Sequence, residues 1–111
     1  MPSYHGNAKK NPKDYHLYEI KDKKTNDTFK FGISGEPIEN KDGLSKRVRE
    51  QINWANLIAG WIRFFGIILI QKIMGNEKAR KEEDKVLEDY YDNNDRYPPG
   101  NRDRKRSLKD D

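Results

Sequence analysis

Glu83 is the residue from which chemistry can first be argued. Across Gly75 to Tyr91, GNEKARKEEDKVLEDYY, Ala79, Val86, Leu87 and Tyr90 recur at helical spacing as one apolar stripe behind an N-cap at Asn76. Glu83 falls inside that stripe, whereas Lys78, Lys81, Lys85 and Glu88 mostly fall toward the outer face. A carboxylate facing inward must be paired with a Lys or Arg at the rim of the core, hydrogen-bonded, or bound to a metal. Burying it uncompensated costs several kcal/mol or shifts its pKa. Arg47 is a second candidate. It lies at the edge of a stripe made by Leu44, Val48, Ile52 and Ala55, with Gln51 near the middle, so it is placed to reach inward while Lys46 and Arg49 point to solvent.

Other candidates sit on strands. YHLYEIK, Tyr15 to Lys21, and TNDTFKFGIS, ending at Ser34, alternate as two strands joined by the turn DKKTND. In that hairpin His16, Tyr18 and Ile20 share one face of the first strand, and Lys30, Gly32 and Ser34 share one face of the second.

The composition limits what such a site can be. With 111 residues the chain makes one small domain with one modest core. Charged residues are 38% and hydrophobic ones 32%, so the apolar residues must be concentrated, and they are, between Ile52 and Met74. The formal charge of +4 and a pI near 9.2 suit a polyanionic partner, weakly, because 19 acidic residues stand against 23 basic ones. No Cys is present, which excludes disulfides, thiolate metal sites and a cysteine nucleophile, and only His5 and His16 supply imidazole. The N-terminal stretch lacks the apolar segment of a signal peptide, so this piece is expected to carry no secretion address of its own.

Taken in order, residues 1–13 read as a flexible lead-in, residues 14–101 as the folded domain, and residues 102–111 as a charged, basic tail. Gly35 to Gly43 is a loop leading to a helix capped near Asp42 or Ser45. Leu57 to Met74 is too interrupted to span a membrane: Arg63, Lys72, Gly60 and Gly66 break it, and the uncharged run Phe64 to Ile70 is about a third of the necessary length. The run FFGIILIQKI instead suits a third strand buried by its neighbours, as part of the core. The expected order is ββαβα, an α+β fold with a three-stranded antiparallel sheet flanked by helices.

With that order, His16-Leu17-Tyr18 and Lys30-Phe31-Gly32 resemble the paired motifs of the GIY-YIG nuclease superfamily. Arg47-Val48 with Gln51 looks like that family's arginine-bearing helix, and Ile73-Met74-Gly75 through Glu83 looks like the segment leading to its glutamate. The FKFGIS strand and the Pro98-Pro99-Gly100 turn are similar to the compact C-terminal toxin domains of bacterial polymorphic and contact-dependent inhibition toxins. His16 replaces the family's glycine and Lys30 its second tyrosine. The late asparagine expected before the Pro-Pro-Gly corresponds to Arg96 or Tyr97, with Asn93, Asn94 or Asn101 as substitutes.

The resemblance implies metal-dependent hydrolysis of phosphodiester bonds in nucleic acid, DNA more than RNA, by a toxin effector. Glu83 would hold a divalent cation, Mg²⁺ by preference, because a hard ion that keeps several waters needs few protein ligands. Arg47 would bind the scissile phosphate through its planar fork, and Ser34 and Gln51 would contact substrate. Tyr18 would contact or deprotonate the attacking water, or else is a strand tyrosine packed on a helix. His16, whose ordinary pKa is nearer the working range, is the other candidate base, and Lys30 would stabilise the phosphate or the leaving oxygen unless it simply faces solvent on an edge strand. The same resemblance implies delivery to a target-cell cytoplasm as part of a larger secreted toxin. It also implies an acidic immunity protein covering the basic neighbourhood of Lys30, Arg47 and Lys72. Two other readings stand beside it: a nucleic-acid-binding module that has lost catalysis, and a membrane-active segment at Trp61 to Met74.

Overall fold

The computed structural model describes residues 13–103. Residues 1–12, which make up nearly all of the expected lead-in, and residues 104–111, most of the expected tail, lie outside the described residues.

Strands β1 (Asp14–Asp22) and β2 (Asp27–Ser34) form the expected hairpin, with Tyr18 opposite Gly32 and Ile20 opposite Lys30. Its turn needs one left-handed residue, supplied by Asn26 at φ 59°. A two-residue ribbon, β3 (Ile38–Glu39) with β4 (Leu44–Ser45), occupies part of the segment expected to be loop, and Leu44 belongs to it rather than to a helix. Helix α1 (Lys46–Ala59) follows, N-capped by Ser45, then β5 (Phe64–Met74), α2 (Asn76–Asn94) and a 3₁₀ turn, Pro99–Asn101. The N-cap of α2 is Gly75 at φ 90°, not Asn76, whose side-chain oxygen instead accepts a hydrogen bond from Arg80 at 2.8 Å.

The antiparallel sheet has the order β2-β1-β5, so β1 is central and a helix covers it on each face. Tyr18 and Ile20 pack with Val48, Ile52 and Phe64 on the α1 side. Leu17 packs with Ile73 and Ala79 on the α2 side, where Phe31, Leu87, Tyr90 and Tyr97 make an adjoining cluster. Leu17 and Tyr18 are consecutive, point to opposite faces, and are both fully buried. Each fully buried apolar side chain of this size contributes about 1.5–3 kcal/mol.

β5 corrects the sequence reading. It is an edge strand, and Phe65, Ile67, Leu69, Ile70 and Met74 are exposed, so the run is not buried by its neighbours. Only Phe64, Gly66 and Ile68 meet the α1 core, with Gly66 so close to Ile52 Cδ1 that an added Cβ would approach within 2.7 Å. Apolar composition reports what a strand is made of and not how many of its sides are covered. Among the described residues no helix is long and apolar enough to cross a membrane.

Candidate functional site

The phenol of Tyr18 is the hub of the site. Its ring lies across β2 over the Gly32 backbone: a Cβ at position 32 would stand 3.0 Å from Tyr18 Cε2 and nearer still to Cζ and the hydroxyl oxygen. Glycine is required there for space, since only a residue without a side chain lets the ring cross the neighbouring strand. The Tyr18 hydroxyl donates to Gln51 Oε1 at 2.9 Å, and Arg47 also hydrogen-bonds the phenol, so α1 supplies two of its partners.

Burial pushes the Tyr18 pKa above its ordinary value. The Arg47 hydrogen bond and charge oppose that rise, and the Glu83 charge adds to it. An amide serves both protonation states, since Gln51 accepts from the phenol and, turned over, donates to the phenolate. Lys30 is half-buried, and its pKa is lowered by burial and then by the Arg47 charge, while Glu83 pulls it up. Glu83 is half-buried on α2, and its carboxylate acts electrostatically on both Tyr18 and Lys30. Tyr18, Lys30, Arg47, Gln51 and Glu83, from β1, β2, α1 and α2, thus share one electrostatic neighbourhood.

His16 and Ser34 sit deeper. His16 is 3% exposed, its Nε2 lies 3.1 Å from Ser45 Oγ, and its ring centroid is 6.2 Å from that of Tyr18. Burial lowers its pKa, against the Glu36 charge, so the imidazole is neutral at pH 7. The buried Ser34 accepts at Oγ from the Glu36 amide, 3.1 Å away. Glu36 also accepts from the Arg47 amide at 2.8 Å, at the start of α1. Sequence reasoning missed Glu36 because nothing in the loop GEPIENKDG marks one acidic residue above another. Lys72 is on β5, the opposite edge strand from Lys30, so the two do not share a strand edge.

Arg49 is a correction. It does not merely point to solvent: its guanidinium takes Asp42 at 2.7 and 2.8 Å, Glu39 at 2.7 Å and the Leu44 carbonyl at 3.3 Å, holding the β3–β4 ribbon to α1.

The candidates for the late asparagine also separate. Asn93 and Asn94 donate to carbonyls one turn back in their own helix. Arg96 binds Asp27 and Tyr90, and the Tyr97 hydroxyl donates to Glu88 at 2.6 Å. Asn101 pairs with the backbone of β2: Oδ1 accepts from the Phe31 amide at 2.9 Å and Nδ2 donates to the Phe31 carbonyl at 3.1 Å, as a neighbouring strand would. Gly100 beside it has room for no Cβ, which would stand 2.8 Å from Lys30 Cβ and 3.0 Å from the Phe29 carbonyl oxygen. The Pro-Pro-Gly turn therefore closes directly over the strand that carries Lys30.

As a metal site the constellation is sparse. Among the described residues no three His, Asp or Glu side chains cluster as a cage, so an ion here would rest on the Glu83 carboxylate and water. That donor set fits Mg²⁺, which is commonly held by one or two carboxylates and keeps several waters.

No curated protein and no solved structure matches the chain. A protein family described as URI fold toxin 2 matches residues 8–95, well over half the sequence, a span that includes His16, Tyr18, Lys30, Ser34, Arg47, Gln51 and Glu83. The chain belongs to that toxin-domain family.

Proposed function

We propose that this toxin domain is a GIY-YIG-type endonuclease that hydrolyses phosphodiester bonds of nucleic acid, with DNA the favoured substrate. The observation that carries the reading is that the Arg47 and Glu83 charges both act on the Tyr18 phenol and on Lys30, which sets two cationic groups, a carboxylate and a hydroxyl in one neighbourhood. Phosphodiester hydrolysis needs charge relief at the non-bridging oxygens, an oriented water and a stabilised leaving oxygen. Arg47 offers a planar fork for the phosphate, and Lys30 a second cation.

A divalent ion at Glu83 would lower the pKa of bound water and polarise the phosphoryl oxygens. Tyr18 is the better placed of the two candidate bases to orient the attacking water, because the His16 Nε2 is engaged with buried Ser45. Its raised pKa makes it a phenol at neutral pH, so it orients water as a hydroxyl and accepts a proton only in the ionised fraction.

A nuclease that attacks its maker's nucleic acid needs neutralising. We therefore include in the proposal a cognate immunity protein of negative net charge that covers the Lys30–Arg47 region, its association slowed by salt. Delivery to a target-cell cytoplasm as part of a larger toxin belongs to the same reading.

A second reading, a binding module without catalysis, is favoured by the lack of a cluster of three His, Asp or Glu side chains among the described residues and by lysine at the second-tyrosine position. Incubating purified protein with plasmid DNA and total RNA, with Mg²⁺ or with EDTA, separates the two. Mg²⁺-dependent cleavage supports the nuclease; binding without cleavage in either buffer supports the module.

A further inference from the structure

A cavity of about 470 Å³ opens beside the candidate site, between α1, β2 and the Pro-Pro-Gly turn. It shares two walls with that site, Lys30 and Gln51, and continues along Phe29, Trp54, Ile58 and Phe64. Its size lies within the range of about 300–1,000 Å³ typical of small-ligand pockets, and most of its lining is aromatic or aliphatic, with Lys30, Gln51 and Arg63 as the polar members.

Trp54 is 64% exposed at this cavity, one helical turn from Ile58, which is 69% exposed. A large aromatic face left in water has no role in the core, where α1 is represented by Val48 and Ile52. Phe29 and Phe64 pack against each other as tilted rings, 4.8 Å between centroids, and form part of the cavity wall. Two cationic residues line it: Lys30, on which the Arg47 charge acts, and Arg63, whose guanidinium is already paired with Asp22.

An apolar slot with an exposed indole, and with Lys30 in the wall that it shares with the candidate site, matches a nucleotide, an aromatic face tied to an anion. We propose that this cavity is a nucleobase subsite, in which the base flanking the phosphate held by Arg47 and Lys30 leaves its stack and packs on Trp54. The inference rests on the nuclease reading for its phosphate and adds the place of the neighbouring base. Stacking on an aromatic side chain tolerates any base, because every base presents a π-face, so the subsite would favour single-stranded or locally opened nucleic acid over intact duplex.

The test uses short single-stranded DNA and RNA oligonucleotides in EDTA, where no hydrolysis intervenes. Binding is read by quenching of Trp54 fluorescence in a Trp61→Phe background and by anisotropy of labelled oligonucleotide for variants at position 54. Base stacking predicts quenching on binding, affinity about tenfold weaker or worse for Trp54→Ala, and retention of most affinity in Trp54→Phe. It also predicts that an oligonucleotide of abasic sites binds wild type and Trp54→Ala alike, with the same salt dependence.

Unchanged affinity in Trp54→Ala, or an equal loss for abasic and ordinary strands, overturns the subsite. So does quenching absent with bound oligonucleotide, which is the result expected if the slot receives an apolar side chain of a protein partner. Cleavage with Mg²⁺ is scored separately: loss of the nuclease reading appears as intact substrate with wild-type protein, whatever Trp54 does in EDTA.

Discussion

The ring of Tyr18 lies over Gly32, its cross-strand partner, so tightly that no side chain fits between them. The pair fixes where the phenol hydroxyl stands relative to Arg47, Gln51 and Glu83. Gly32→Ala must displace the ring, and cleavage is expected to fall about a hundredfold or more, as it does in Tyr18→Phe, which deletes the hydroxyl alone. Tyr18→Phe should leave the fold intact, whereas Gly32→Ala also costs about 1–3 kcal/mol of stability from overpacking, measured by denaturant unfolding. Because burial raises the phenol pKa, a rate that depends on its ionised form climbs with pH across about pH 7 to 9 without levelling.

Arg47 and Arg49 are close in sequence and opposite in consequence. Arg47→Ala is expected to lower cleavage by about two to three powers of ten with little change in Tm, since the side chain is exposed and serves the phenol and the phosphate. Arg49→Ala removes the tie to Asp42, Glu39 and Leu44, so Tm falls while cleavage per folded molecule stays near wild type. Equal rate losses in the two variants would reassign the phosphate contact.

Asp22 and Arg63 close the far end of the sheet. The carboxylate, 6% exposed, takes the Arg63 guanidinium through two bonds of 2.7 Å, and that partner holds the Asp22 pKa below its ordinary value. A carboxyl with a depressed folded pKa adds stability that is present above its unfolded pKa and lost as pH falls through the folded one. Wild type should therefore lose Tm steadily below about pH 4, and Asp22→Asn should start from a lower Tm at pH 7 and show a shallower acid slope. Parallel acid profiles would remove the pair from the pH dependence.

Asn101 acts as a one-residue strand on the edge of β2. Asn101→Ala leaves the Phe31 amide and carbonyl without that partner, an expected loss of about 1–3 kcal/mol, and loosens the turn packed on Lys30. Amide exchange at Phe31 should accelerate in the variant. Unchanged protection there would show that the pairing does not hold in solution.

Much of this was legible in the sequence. Alternation in YHLYEIK and FKFGIS, and the 3.6-residue stripes holding Val48, Ile52, Ala79 and Leu87, are local signals, and they located the hairpin, both helices and the third strand. Sheet order is not local. The strand FFGIILIQKI read as core because it is apolar, but β1 took the centre and left Phe65, Ile67 and Leu69 exposed. Contacts between distant loops were also hidden: Glu36 on the Arg47 amide, Ser45 on His16 and Asn101 on Phe31 each depend on chain closure and not on spacing. Arg49 was misjudged because helical phase points it outward, and the ribbon that meets it has no periodicity of its own.

The central claim is tested most directly by the rate of Mg²⁺-dependent phosphodiester cleavage in Glu83→Gln, measured beside Glu77→Gln, an exposed carboxylate in the first turn of the same helix. The account predicts cleavage by wild type and Glu77→Gln that stops in EDTA, and none above background by Glu83→Gln, whose folding and Tm are preserved. Cleavage by Glu83→Gln at the wild-type rate, or wild-type cleavage indifferent to EDTA, would contradict it.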